Sequence, residues 1–61
     1  MTIEVNDRVR VNKTFEAEPL SFIYEGEKGI VTDVTCPDYY QVRFMYKLYW
    51  VNGIYLEKIN D

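Results

Sequence analysis

Four carboxylates and two glycines crowd the stretch from Glu16 to Gly29, and they are where chemistry would have to begin. Glu16, Glu18, Glu25 and Glu27 offer oxygen ligands for a hard cation. Their spacing lacks the alternating Asp, Asn and Gly of a calcium loop, so they read as a solvated acidic segment. The chain contains no His, which removes the usual neutral-pH base, the usual helper of a nucleophile and the commonest transition-metal ligand. Cys36 stands before Pro37 with no activating base nearby in sequence, and thiol reactivity needs an electropositive setting. It reads as a turn or core residue. No catalytic residue, cofactor or metal site is expected.

The glycines, in "YEGEKGIVTDV", could cradle a ligand or merely start a strand. Glycine's freedom at positive φ suits a sharp bend or bulge, and the negative charge of Glu25 and Glu27 opposes phosphate contact there. Gly26 and Gly29 are therefore read as strand punctuation.

These residues must be positioned by a very small domain. At 61 residues the chain is one unit, 1–61, and a chain of that size buries only about 60% of its unfolded surface. Hydrophobic residues at 48% and charged residues at 28% are globular values, and 16% aromatic residues tilt the expectation toward β structure. The formal charge of −3 has the wrong sign for general affinity to a phosphate backbone. One cysteine cannot close an intrachain disulfide, and no apolar run approaches the roughly 20 residues that span a bilayer. The expectation is a soluble, cytoplasmic protein without membrane contact.

Arg8-Val9-Arg10-Val11 alternates with period two, placing both valines on one face and both arginines on the other. From Asn12 to Glu25 the alternation is lost and a long ordered loop is expected, fastened by some of Phe15, Leu20, Phe22, Ile23 and Tyr24. A second strand runs from Lys28 to about Val34, keeping Val31 and Val34 in its apolar run. Thr35-Cys36-Pro37-Asp38 follows as a turn. In the third strand, Tyr39–Phe44, residues Tyr40, Val42 and Phe44 face inward and Tyr39, Gln41 and Arg43 outward. Met45-Tyr46-Lys47 connects to a fourth strand over Leu48–Val51. Asn52-Gly53 is a turn signal, and Ile54–Ile59 fits a helical turn leading into a short closing strand.

Five short strands with one long loop after the first strand suggest an all-β fold in which the sheet curls into a small SH3-like barrel, since flat sheets leave edges exposed. In "NDRVRV", the pattern Gly26-x-x-Gly29-x-Val31-x-x-Val34, "VRF" and "YLEKI", the chain resembles the KOW motif and related SH3-like barrels. Such barrels occur in ribosomal proteins, transcription elongation factors, an accessory subunit of photosystem I and the variable chain of ferredoxin-thioredoxin reductase. The resemblance implies a fold and, for the last two, a docking role. Where ribosomal KOW modules are basic, this loop reads Glu25-Gly26-Glu27. By size the chain also resembles adaptor or inhibitor proteins encoded by bacteria and their phages.

Charge and aromatic content supply the functional expectation. Thr14 to Glu27 holds four Glu and no Lys or Arg, so the chain is polarised. Tyr40, Phe44, Trp50 and one or two of Phe15, Phe22 and Tyr24 are expected in the core. The remaining tyrosines should be exposed, as in interface hot spots. The expected function is a non-enzymatic protein-binding module that docks through Glu16, Glu18, Phe22, Tyr24, Glu25, Glu27, Tyr39, Tyr46 and Tyr49. Its partner would be a protein with a basic surface, and the chain itself a monomer or weak homodimer. The alternative is a KOW-like RNA- or DNA-binding module using an arginine strip of Arg8, Arg10 and Arg43.

Overall fold

A computed structural model describes residues 2–35, 38–45 and 47–59. These residues form seven strands and one 3-10 turn, with no α-helix among them. In chain order the strands are β1 (Arg8–Val11), β2 (Phe15–Glu18), β3 (Ser21–Ile23), β4 (Lys28–Thr35), β5 (Tyr39–Phe44), β6 (Lys47–Asn52) and β7 (Leu56–Lys58). The 3-10 turn, Gly53–Tyr55, joins β6 to β7.

Five strands form an antiparallel sheet in the order β6-β5-β4-β1-β7, and β2 pairs with β3 as a separate hairpin. Both sheets are open, so the architecture is all-β with seven strands in two sheets, where a five-stranded barrel was expected. The expected loop from Asn12 to Glu25 is largely this hairpin. "FEAE" does alternate, with Phe15 and Ala17 half-buried and both glutamates exposed, but Phe22 faces outward beside Ser21 and Ile23 and hides the period. A bulge at Ala17 further shifts the register between Glu16 and Glu18.

The core is built by alternation. Val9, Val11, Val31, Val42 and Val51 are fully buried, joined by Ile23, Tyr40, Phe44, Tyr49 and Leu56. Each Val removed from water contributes roughly 1.5–3 kcal/mol, which for so small a domain is a large share of the driving force. Among the described residues no polar or charged side chain is buried. The hairpin is fastened by Phe15, whose ring stacks on Tyr55 at 4.6 Å between centroids.

Two expectations on phase are corrected. Trp50, expected in the core, is 46% exposed, while Tyr49 is only 9% exposed and packs its ring toward Phe44. The register decides this, because Tyr49 lies opposite inward-facing Val42 and Trp50 opposite Gln41. Val31 and Val34, three residues apart, share a face only because the β4·β5 register shifts between Val31 and Asp33. Even so, Val34 is at the margin of the sheet and remains exposed.

Candidate functional site

The acidic segment becomes a protruding hairpin followed by a tight turn. At its tip, Leu20 adopts φ 65, a left-handed conformation that a branched apolar side chain rarely takes. Its N–H donates to the Glu16 carboxylate at 2.9 Å, which holds the turn closed. The side chain itself is 93% exposed. Phe22 and Tyr24 are also exposed on the outgoing strand and just beyond it.

Tyr24 to Glu27 forms the next turn. Glu27 N–H donates to Tyr24 O at 3.1 Å, and Gly26 sits at φ 96 as the third of the four residues, where a type II turn requires positive φ. The Glu27 carboxylate accepts from Tyr24 N–H at 2.9 Å. Two of the four carboxylates thus secure their own turns. Those of Glu18 and Glu25 accept no hydrogen bond from the described residues, and both residues are exposed. Gly29 serves differently: a Cβ there would lie 2.6 Å from Val42 Cγ1 and 2.8 Å from Arg43 O, so the strand needs glycine for close approach. Gly26 is the turn residue that the sequence suggests, whereas Gly29, read from the sequence as part of the same bend, lies inside β4 and is needed there for close approach.

The proposed contact residues therefore divide. Glu16, Glu18, Phe22, Tyr24, Glu25 and Glu27 are brought together on and beside the hairpin. Tyr39 is exposed but belongs to the outward face of β5. Tyr49 is withdrawn into the core and is unavailable as an exposed contact, and Tyr46 lies outside the described residues, as does Cys36. An open hollow of about 220 Å³ separates hairpin from sheet, lined by Phe22, Phe44, Met45, Lys47 and Tyr49, with Glu27 beside it.

The arginines also divide. Arg10 is paired with Glu57 across β1 and β7. Arg8 lies opposite Ile30, and Ile30 opposite Arg43, so those two arginines share one cross-strand row. Lys28, which sequence reasoning passed over, joins them around a hollow of about 210 Å³. Its position two residues before Ile30 on the same strand was the available signal. Leu20 and Met45, both exposed and both at positive φ (65 and 58), were likewise not singled out, since nothing in residue type announces a left-handed backbone. No group of three His, Cys, Asp or Glu able to hold a metal ion occurs among the described residues. No helix of the described residues is long and apolar enough to cross a membrane.

No known protein family, curated protein or solved structure matches the chain.

Proposed function

We propose that this chain is a non-enzymatic docking module that binds a protein with a basic surface through the β2–β3 hairpin. The observation that carries the reading is Leu20: a strained, 93% exposed leucine at a hairpin tip, flanked by Glu16 and Glu18. Left-handed backbone at a branched residue costs about 1–2 kcal/mol, and such strain persists where the surroundings impose it, often at contact sites. An apolar anchor at the tip, with Phe22 and Tyr24 behind it, supplies buried area on association. Glu18 and Glu25 supply the complementarity that steers a basic partner and fixes its orientation.

The scaffold for this role is an SH3-like fold. Three features favour that finer reading: the β4-β5-β6 meander, β1 and β7 continuing the sheet beyond β4, and a 3-10 turn leading into the last strand. The hairpin packs through β2 beside β6, an edge strand of the sheet. A small adaptor or inhibitor of bacterial or phage type would use such a scaffold to hold one protruding hairpin rigid.

The test is an affinity capture of the tagged protein from nuclease-treated bacterial lysate, repeated with Leu20→Asp and with Glu18→Lys/Glu25→Lys. A protein partner that rebinds in purified form and is lost with both variants is the expected result. Retention of that partner by both variants, with their melting temperatures unchanged, would remove the hairpin from the interface.

A further inference from the structure

A second surface, independent of the hairpin, lies on the outward face of the five-stranded sheet. One cross-strand row there runs Leu48, Arg43, Ile30, Arg8 from β6 to β1. Directly opposed residues point to the same side, so these four side chains project together. With neighbouring strands about 4.8 Å apart, Arg8 and Arg43 stand roughly 10 Å from each other with Ile30 between them. Lys28, one strand period from Ile30, closes the group around the 210 Å³ hollow. Neither Lys28 nor Arg43 forms an ion pair with a described residue, whereas Arg10 is held by Glu57.

Next to this row is an aromatic pair. Trp50 lies opposite Gln41, and Tyr39 is two residues from Gln41 on the same face, which makes Trp50 and Tyr39 diagonal neighbours. Both are close to half exposed, at 46% and 45%. Asp33, paired with Gln41 at the bulge, turns its carboxylate back to accept from Val34 N–H at 2.8 Å.

We infer that this face binds single-stranded nucleic acid, with bases stacking on Trp50 and Tyr39 and the phosphate chain crossing Arg43 and Lys28. A π-face serves every base, and cations beside it track the backbone, which is the combination that sequence-tolerant single-strand binders use. An acidic peptide would satisfy the cations but leave two exposed ring faces with nothing to stack on. The site is the outer sheet face, and from the Gly26–Gly29 segment it takes Lys28, the first residue of β4.

Trp50 is the only tryptophan in the chain, so its fluorescence reports the contact directly. The experiment titrates the full chain with a thymidine oligonucleotide of about ten nucleotides, alongside inorganic polyphosphate and polyglutamate. Lys28 and Arg43 neutralise two phosphates, which predicts a slope of log affinity against log salt of about −1.4, or roughly a 7-fold loss between 50 and 200 mM. Lys28→Ala should bring the slope to about −0.7. Arg10→Ala should leave it unchanged. Trp50→Leu, followed with a labelled oligonucleotide, should weaken binding about tenfold without lowering the melting temperature. Leu20→Asp should alter none of these values, which keeps the result distinct from that of the hairpin. Absence of oligonucleotide binding at 50 mM salt overturns the inference. So does binding of polyphosphate or polyglutamate as tightly as the oligonucleotide without quenching of Trp50, the outcome expected of a charge-only or acidic-peptide surface.

Discussion

Replacing Gly29 by Ala tests how closely β4 and β5 are pressed together. The added Cβ would sit 2.6 Å from Val42 Cγ1, 2.8 Å from Arg43 O and 3.1 Å from Phe44 Cδ1. The first contact can yield by rotation of a side chain. The second is backbone within the β4·β5 ladder, so the strands must separate or shift. Overpacking of this kind costs about 1–3 kcal/mol. Against a total stability of roughly 3–9 kcal/mol for a domain this size, about 2 kcal/mol lowers the melting temperature by roughly 10 °C. The assay is thermal and urea unfolding followed by circular dichroism, within a cycle that includes Val42→Ala. Because Val42→Ala removes the closest contact, the double variant should be more stable than the sum of its parts by about 0.5–1.5 kcal/mol, and the clash with Arg43 O should persist. The Gly26 control separates steric from conformational cost. Nothing lies within 4 Å of a Cβ at Gly26, so Gly26→Ala suffers only from its φ of 96, and Gly26→Asn should recover most of that loss. A Gly29→Ala protein melting within about 2 °C of the parent, or strict additivity with Val42→Ala, would refute the close-approach reasoning.

Leu20→Gly should raise stability by about 1 kcal/mol by relieving the left-handed strain, while abolishing capture of the hairpin's partner; a fall in melting temperature would show that the strain is not there to relieve. Asn52→Ala should cost about 1 kcal/mol, because its side-chain oxygen accepts from Ile54 N–H at 3.0 Å and opens the 3-10 turn, and Asn52→Asp should retain stability in urea titrations. Tyr49→Ala should cost about 3–5 kcal/mol and leave the domain close to unfolding, whereas Trp50→Ala should stay within about 1 kcal/mol of the parent, as measured by circular dichroism in denaturant.

What the sequence discloses, and what it conceals, follows from where alternation survives. β1 and β5 carry clean period-two patterns, and Val9, Val11, Tyr40, Val42 and Phe44 all face the core as their spacing demands. β6 holds Leu48, Tyr49, Trp50 and Val51 in a row, so either phase buries apolar residues. Only the pairing of Tyr49 with Val42 selects one, a long-range fact that no local pattern contains. The hairpin is masked for the opposite reason: an apolar residue, Phe22, occupies the outward position and is about half exposed. The bulge between Val31 and Asp33 shifts the face of everything after it in β4, and no residue there is a glycine that would mark it. Of the candidate site residues, the carboxylates were legible as a charge run and Arg8 and Arg43 as outward-phase residues of two strands, while the addition of Lys28 and the pairing of Arg10 with Glu57 needed the strands to be placed side by side.

A chain of net charge −3 can hold a polyanion only if contact is governed by local and not total charge, and salt decides which applies. At 0.15 M the screening length is about 8 Å, less than a third of the 29 Å longest dimension, so a phosphate at Arg43 responds mainly to the charges around the hollow. At 0.01 M it grows to about 30 Å, and Glu18 and Glu25 then oppose the same phosphate as well. The log–log salt plot should therefore be straight from 50 to 200 mM and bend downward in affinity below about 20 mM. Glu18→Lys/Glu25→Lys takes the formal charge from −3 to +1, two units per substitution. It should remove the bend while leaving the slope above 50 mM within about 0.3 of the parent, measured by the same Trp50 titration. A large change in that slope would place the hairpin within contact range of the nucleic acid, and the two surfaces would then have to be treated as one.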